Sequence, residues 1–209
     1  MIWIGAPSND SWTGSAFVCL ALFGSGEARM SSPTDHLTNG EAHSAQAVEE
    51  CLQELVSGTE YRFSEWPNST VPSVAAGVYT IWNDRTLIYV GMAGRSHTEE
   101  SLARATAQSN YVTGLRSRLK SHASGRRSGD QFCVYVADRF ILPTLSMLEV
   151  QAIGLGELSL DALVRKHIHE LLSYRFVVMP SGRDAHELER MIRQGALHVG
   201  QPILNPLSP

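Results

Sequence analysis

The sequence lacks the features that would place it in a membrane, zinc-binding or disulfide-rich class. No apolar run in its 209 residues reaches the length needed to cross a bilayer, so we expect no membrane partner. Its cysteines, Cys19, Cys51 and Cys133, are odd in number and show no CxxC spacing, which argues against a disulfide framework or a cysteine zinc site. We therefore expect a reducing, cytoplasmic compartment.

Acidic residues are absent between Ser101 and Gly129, where six basic residues occur. The net charge of −4 conceals this asymmetry. Residues 1–65 hold nine acidic and two basic residues (−7), whereas residues 66–209 hold twelve acidic and fifteen basic residues (+3). An acid-free basic run forms either a solvated helix face or a surface that contacts nucleic-acid phosphates. On the second interpretation, the candidate contacts are Arg116, Lys120, Arg126 and Arg127.

Composition divides the chain near residue 70. Residues 1–70 are interpreted as an acidic N-terminal extension, partly disordered over residues 1–44, with one short helix predicted from Ser44 to Val56 by its apolar spacing. Residues 71–209 form the main domain. Its predicted elements are a β-hairpin over 77–91, helices near 102–108, over 115–124, over 159–172 and after Asp184, and strands at 131–137 and 174–179.

The hairpin GVYTIWNDRTLIYVG, residues 77–91, carries a tyrosine beside a glycine on each arm, Tyr79 and Tyr89. If the polar Asn-Asp-Arg trio forms a three-residue loop, Ile81 faces Leu87 and Tyr79 faces Tyr89 on one side of the sheet. A loop of even length places the two tyrosines on opposite sides, because side chains alternate along a strand. Two adjacent phenols form either a packing pair in a half-buried sheet or part of a site.

Two further segments carry polar side chains suited to phosphate chemistry. Arg118 and His122 lie four residues apart on one helix face. An arginine there can form a bidentate clamp on a phosphate. Asn205, in the irregular PILNP segment, either orients a ligand or closes a turn.

Glu187 and Glu189 are the candidate metal ligands, because Mg²⁺ is commonly bound by one or two carboxylates together with water and substrate phosphate. If Asp184 is the N-cap of the last helix, Glu187 falls at the third helical position, where it returns a hydrogen bond to the cap. Glu189 is then the preferred ligand, and Glu187 remains the alternative.

Taken in order, these segments resemble the GIY-YIG nuclease superfamily. The family has a GIY motif, a YIG motif, a helix with an arginine often followed by a histidine four residues later, a helix with a glutamate, and a late asparagine. The matching segments are GVY (77–79), YVG (89–91), RLKSH (118–122), LERMIR (188–193) and LNP (204–206). The resemblance covers roughly residues 71–209. Residues 92–112 look like an insertion relative to compact members, so Arg95 and Arg104 remain alternatives to Arg118.

The resemblance implies an α/β fold of the α+β type, with a small central antiparallel or mixed sheet flanked by helices. It also implies a DNA endonuclease that uses one divalent metal, Mg²⁺ or Mn²⁺. The expected roles are proton acceptor from water (Tyr79), ligand of water or phosphate (Tyr89), charge stabiliser (Arg118), proton-transfer partner (His122), metal ligand (Glu189) and support (Asn205). Because a phenol has a pKa of about 10, the role of Tyr79 requires nearby positive charge.

Two other classes of function remain open at this point. One is a GIY-YIG module that binds nucleic acid without cutting it, and the other is a structural or interaction protein. Restriction, repair and mobile-element contexts all use the module, and both a monomer and a homodimer are compatible with it.

Overall fold

The computed structural model describes residues 37–108 and 111–205. Within these ranges the helices are α1 (Leu37–Ser57), α2 (Glu99–Thr106), α3 (Leu115–Ala123), α4 (Gln131–Val136), α5 (Met147–Gly154), α6 (Leu160–Leu171) and α7 (Gly182–Arg193). The strands are β1 (Tyr61–Arg62), β2 (Val74–Asn83), β3 (Thr86–Ala93), β4 (Thr113–Gly114) and β5 (Leu172–Met179). The partial disorder predicted for residues 1–36 lies outside the described residues.

The strands form one sheet in the order β1-β5-β2-β3, with antiparallel neighbours throughout. The short strand β4 pairs in parallel with the start of β2. The fold is therefore α/β with a largely antiparallel central sheet flanked by helices, as predicted.

Helices cover both faces of the sheet, and each face has its own apolar core. On one face, α3, α4 and α6 bury Leu115, Leu119, Phe132 and Ile168 against the sheet. On the other face, α1 and α7 bury residues that include Leu55, Leu188 and Ile192. Because β2 is covered on both sides, eight of its ten residues are buried.

Residues 37–70 are part of this packing. Helix α1 begins at Leu37, earlier than the predicted start at Ser44, and buries Leu55 completely. Strand β1 pairs with β5, and the adjacent Phe63 is fully buried. The boundary predicted near residue 70 thus falls between two strands of one sheet.

Residues 131–136 form a helix, so the strand predicted over 131–137 is wrong. Asp130 is the N-cap of α4, and its side chain accepts a hydrogen bond from the Phe132 N–H. Phe132, Cys133 and Val136 are buried at helical spacing. The cap and this spacing outweigh the β propensity of the run QFCVYVA. The chain then continues through a π-helical turn, Ala137–Ile141, and a 3-10 turn, Leu142–Thr144.

The predicted helices near 102–108, 115–124 and 159–172 and the strand at 174–179 are confirmed as α2, α3, α6 and β5. In the described ranges, no helix combines the length and apolar character needed to cross a membrane. Cys133 is a buried free thiol, but Cys51 is disulfide-bonded. The cysteines therefore do not support the predicted reducing compartment, which stays a prediction.

Candidate active site

Strands β2 and β3 form the predicted hairpin, and Tyr79 and Tyr89 lie on the same face of it. Tyr79 pairs with Gly91, and Ile81 pairs with Tyr89, so the two tyrosines are diagonal neighbours with ring centroids 6.4 Å apart. The prediction of a shared face is confirmed. The predicted direct pairings, Tyr79 with Tyr89 and Ile81 with Leu87, are wrong.

A one-residue register shift explains this arrangement. The turn contains only two residues, Asp84 and Arg85, and Asp84 has a positive φ of 52°. A two-residue turn alone would place the tyrosines on opposite faces. However, the ladder shifts between Ile81 and Trp82, so that Ile88 is an extra residue on β3. This β-bulge returns both phenols to one face.

Steric contacts explain the glycines of the two tyrosine motifs. A Cβ atom at Gly91 would lie 2.3 Å from the hydroxyl oxygen of Tyr79 and 2.5 Å from its Cζ atom. A Cβ atom at Gly77 would lie 2.3 Å from the Val177 carbonyl oxygen and 2.6 Å from a methyl carbon of Leu115. Gly91 therefore makes room for the Tyr79 ring, and Gly77 allows α3 and β5 to approach β2.

A pocket of about 510 Å³ opens beside the end of β3. This volume is typical of small-molecule and cofactor sites. The pocket brings together four of the six predicted catalytic residues from three separate elements: Tyr79 and Tyr89 from the hairpin, Arg118 from α3 and Glu189 from α7.

Behind this pocket, Tyr79, His122 and Asp130 form a buried hydrogen-bonded chain. The Tyr79 hydroxyl lies 2.7 Å from His122 Nε2, and His122 Nδ1 lies 2.7 Å from Asp130 Oδ2. All three side chains are at most 2 % exposed. Phe132 packs on the His122 ring at a centroid distance of 4.7 Å. The chain is therefore fixed in position by both hydrogen bonds and packing.

The pKa shifts and the hydrogen bonds together indicate which atoms of Tyr79, His122 and Asp130 carry protons. Burial lowers the pKa of His122 below its usual value, although the hydrogen bond to Asp130 opposes the shift. Burial also acts to raise the pKa of Asp130, but hydrogen bonds, chiefly from His122, outweigh it and hold the pKa below its usual value. At neutral pH Asp130 is thus a carboxylate and His122 is neutral. A carboxylate only accepts hydrogen bonds, so His122 carries its proton on Nδ1, and Nε2 accepts the Tyr79 hydroxyl.

Both tyrosines are protonated at neutral pH in the protein without bound metal. Burial is the main cause that raises the pKa of Tyr79 well above 10, and the Arg118 charge lowers it by a smaller amount. Burial likewise raises the pKa of Tyr89 to about 12. Arg118 alone therefore does not produce the phenolate that the sequence-based mechanism requires at Tyr79.

Glu189 is the only carboxylate among the described residues that line the pocket. Burial raises its pKa, and positive charges led by Arg193 oppose the shift. No group of three or more His, Cys, Asp or Glu side chains in the described part of the chain is arranged to hold a metal ion. Glu189 would therefore be the single ligand that these residues offer to a divalent cation. That suits Mg²⁺, which retains water and takes oxygens from substrate phosphates.

The capping argument that favoured Glu189 is wrong in its details. Ser181, not Asp184, is the N-cap of α7, and Asp184 occupies the third helical position that was assigned to Glu187. Glu187 is instead ion-paired with Arg190 and does not line the pocket of Tyr79 and Tyr89. The geometry thus favours Glu189 for a different reason.

Two of the three candidate arginines reach the pocket. Arg118 and Arg95 both line it, and Arg95 Nη2 lies 3.0 Å from His186 Nε2. Arg104 lies on α2, contacts the Glu100 carbonyl and does not line the pocket. Within the described residues, the Arg118 guanidinium has no hydrogen-bond or ion-pair partner, so it remains available for a ligand.

Asn205 supports the hairpin and does not line the pocket. Its Oδ1 accepts a hydrogen bond from the Val90 N–H at 2.8 Å, and its Nδ2 donates to the Val90 carbonyl at 2.9 Å. The adjacent Leu204 N–H donates to the Ile88 carbonyl. Asn205 therefore holds the outer edge of β3 beside Tyr89, and its expected support of the site stays a prediction.

The four predicted phosphate contacts divide into two pairs. Arg116 donates to the carbonyls of Val71, Asn68 and Ser69, so its guanidinium already holds a loop of the protein. Arg127 is ion-paired with Asp161. Lys120 and Arg126, by contrast, line a groove next to the pocket.

Asp130 is the site residue that the sequence interpretation missed. Asp130 precedes a run that was interpreted as a strand, and that interpretation gave no reason to place its side chain beside His122. The available signal was an aspartate directly before an apolar run, which is a common N-cap pattern.

The comparisons with known proteins add no relative. No protein-family model, curated protein or solved structure matches this chain. The resemblance to GIY-YIG nucleases therefore rests on the motifs themselves.

Proposed function

We propose that this protein is a metal-dependent endonuclease that hydrolyses DNA phosphodiester bonds. The observation that carries this proposal is the single pocket that combines Tyr79, Tyr89, Arg118 and Glu189. The motif resemblance supports the same reaction. An arginine and a lone carboxylate facing two phenols are suited to a phosphate group, a divalent cation and a water molecule.

In this proposal the scissile phosphate lies beside Arg118, whose free guanidinium stabilises the charge that grows on the phosphoryl oxygens. Glu189 would hold Mg²⁺ or Mn²⁺. When bound, the cation offsets negative charge on the phosphate and on the leaving oxygen. Tyr89 orients the water or the phosphate.

The buried hydrogen-bonded side chains of Tyr79, His122 and Asp130 provide a route for the proton of the attacking water. As the water oxygen bonds to phosphorus, the bond between phosphorus and the leaving oxygen breaks. The leaving oxygen departs as an alkoxide and takes a proton from the solvent. The water proton moves to the Tyr79 oxygen, and the Tyr79 hydroxyl proton moves to His122 Nε2. Tyr79 thus stays neutral throughout, so no free phenolate is needed. His122 becomes an imidazolium, which the Asp130 carboxylate stabilises at Nδ1.

The test is supercoiled plasmid incubated with purified protein and either Mg²⁺, Mn²⁺ or EDTA. Wild type should nick the plasmid only with metal, and nicked circles should precede linear DNA because one such pocket cuts one strand at a time. Glu189→Gln should cut at least about a hundredfold more slowly, the loss expected when the ligand of the charge-offsetting cation is removed. The matched control is Glu187→Gln on the same helix, which should cut at the wild-type rate.

Absence of metal-dependent nicking by the wild type would contradict the enzymatic function and leave the binding module as the alternative. Loss of activity in Glu187→Gln with full activity in Glu189→Gln would contradict the metal-ligand assignment alone.

A further inference from the structure

A second groove of about 640 Å³ adjoins the pocket at α3. The two cavities share Ser117 and Ser121, which lie one turn apart on α3. A ligand bound in the pocket therefore lies next to the groove.

The groove has a basic lining, and the described residues that form it include no carboxylate. Lys120, Arg126 and Arg165 supply positive charge, and Ser117, Ser121, Ser124 and Ser128 supply hydroxyl groups. This lining contrasts with the net charge of −4 for the whole chain. Among the residues described, Lys120, Arg126 and Arg165 form no ion pair. Their charges are thus available to an anionic ligand.

Close packing of two helices builds this charged lining. Gly125 follows α3 with a φ of 70°, and a Cβ atom there would lie 2.5–2.6 Å from the backbone and Cβ atoms of Arg165 on α6. The end of α3 therefore rests directly on α6. As a result, basic side chains from two distant segments line one groove.

Trp66 lines the same groove. It is partly buried, and its ring packs edge-on to Tyr174 at a centroid distance of 6.3 Å. An aromatic side chain beside basic residues is the arrangement with which proteins hold unpaired nucleotides, because bases stack on the ring while the cations contact phosphates. Inside a continuous duplex, neighbouring base pairs cover both faces of each base, so none is free to stack on a side chain.

We propose that this groove binds an unpaired stretch of the DNA strand next to the scissile phosphate, with a base stacked on Trp66 and phosphates on Arg126 and Arg165. The choice of ligand rests on the proposed function. The substrate is then DNA with a single-stranded tail or gap beside the cleaved bond, in preference to continuous duplex.

The experiment measures binding of fluorescein-labelled duplexes in EDTA, where metal-dependent cleavage is excluded. The probes are a blunt duplex and the same duplex with a short single-stranded 5′ or 3′ tail. Wild type should bind one tailed probe about 5- to 150-fold more tightly than the blunt probe, the range expected for stacking of one base. Trp66→Leu should weaken this preference by the share that stacking contributes, whereas Trp66→Phe should retain most of it.

The charged contacts are tested with neighbouring arginines. Arg126→Gln should reduce the slope of log K against log salt by about 0.7 for the tailed probe, the value for one phosphate contact on a single strand. Arg127→Gln is the matched control, since Arg127 is paired with Asp161 and lies outside the lining. It should leave the slope unchanged. Thermal unfolding of each variant identifies loss of binding that results from loss of folding.

Equal binding of tailed and blunt probes, or an unchanged preference in folded Trp66→Leu, would overturn the groove proposal even if the protein cuts plasmid. Conversely, a Trp66-dependent preference in a protein that cuts no plasmid would support the groove and refute only the proposed nuclease function.

Discussion

Asp130→Asn is the substitution that tests the buried proton route most directly. Asparagine caps a helix about as well as aspartate, so α4 should keep its N-cap and the protein should fold. What changes is the hydrogen bond to His122. The amide group that replaces the Asp130 carboxylate can donate to Nδ1, which allows the proton to move to Nε2. In that tautomer, His122 cannot accept the Tyr79 hydroxyl proton.

The expected effect is a fall in kcat of about 10²-fold, at the lower end of the range for general acid–base catalysis. A hydrogen bond to a charged group contributes about 1.5–3 kcal/mol, against about 0.5–1.5 kcal/mol for a neutral pair. This difference means that the Asp130 carboxylate favours the Nδ1–H tautomer of His122 by about 1 kcal/mol or more. The carboxylate also stabilises the imidazolium that forms during the reaction. KM should change little, because Asp130 is buried and does not line the pocket.

Two measurements distinguish this role from simple helix capping. The ¹⁵N chemical shifts of the His122 ring should report Nδ1–H in the wild type and a shift toward Nε2–H in Asp130→Asn. The pH profile should fall on the acid side, because protonated His122 cannot accept a proton. Asp130 raises the His122 pKa, so its removal should move this acid limb to lower pH while lowering the plateau.

Asp161→Asn is the matched control, since Asp161 lies in the first turn of α6 and pairs with the exposed Arg127. It should retain wild-type kcat. A kcat for folded Asp130→Asn within about threefold of wild type would refute the reasoning, because loss of a general acid–base partner costs far more. An unchanged His122 tautomer would refute it as well.

Two other predictions rest on the same contacts. Gly91→Ala should lower kcat at least about tenfold and destabilise the fold by about 1–3 kcal/mol, because the added methyl group would overlap the Tyr79 hydroxyl. Gly154→Ala is the control, because its added methyl group would meet no neighbouring atom. It should change neither kcat in the plasmid assay nor the free energy of unfolding in a urea titration. The free energy of unfolding should also fall as pH drops below about 6.5, because His122 has a lower pKa folded than unfolded and the unfolded chain then binds more protons. Urea titrations from about pH 8 to about pH 5, which span the ordinary histidine pKa, check this, and a curve that is flat or rises toward acid would contradict it.

The elements with strong periodicity were predictable from the sequence. Apolar spacing identified α3 and α6, and β-branched and aromatic residues identified the hairpin and β5. The failures occurred where a single polar residue decides the local structure. Asp130 caps α4 and converts a strand-like run into a helix, and Ser181 takes the capping position that was assigned to Asp184.

The pocket was predictable as a set of residues, but its geometry was not. The shared face of Tyr79 and Tyr89 depends on a β-bulge at Ile88, which compensates for a two-residue turn. Sequence reasoning reached the right face through a three-residue loop that does not exist. Register in a hairpin depends on turn length and bulges together, and neither is encoded in the alternation pattern alone.

The structure also changes the chemistry that the motifs suggest. Reasoning from charge alone made Tyr79 a phenolate stabilised by Arg118 and metal. Burial raises the pKa of Tyr79 more than Arg118 lowers it, so the phenol keeps its proton. A neutral phenol can still serve as the proton acceptor if it passes its own proton on at the same time. His122 Nε2 at 2.7 Å is placed to receive that proton, and Asp130 keeps Nε2 unprotonated. In the proposed mechanism, Arg118 is not needed to ionise Tyr79 and is therefore free to act on the phosphate.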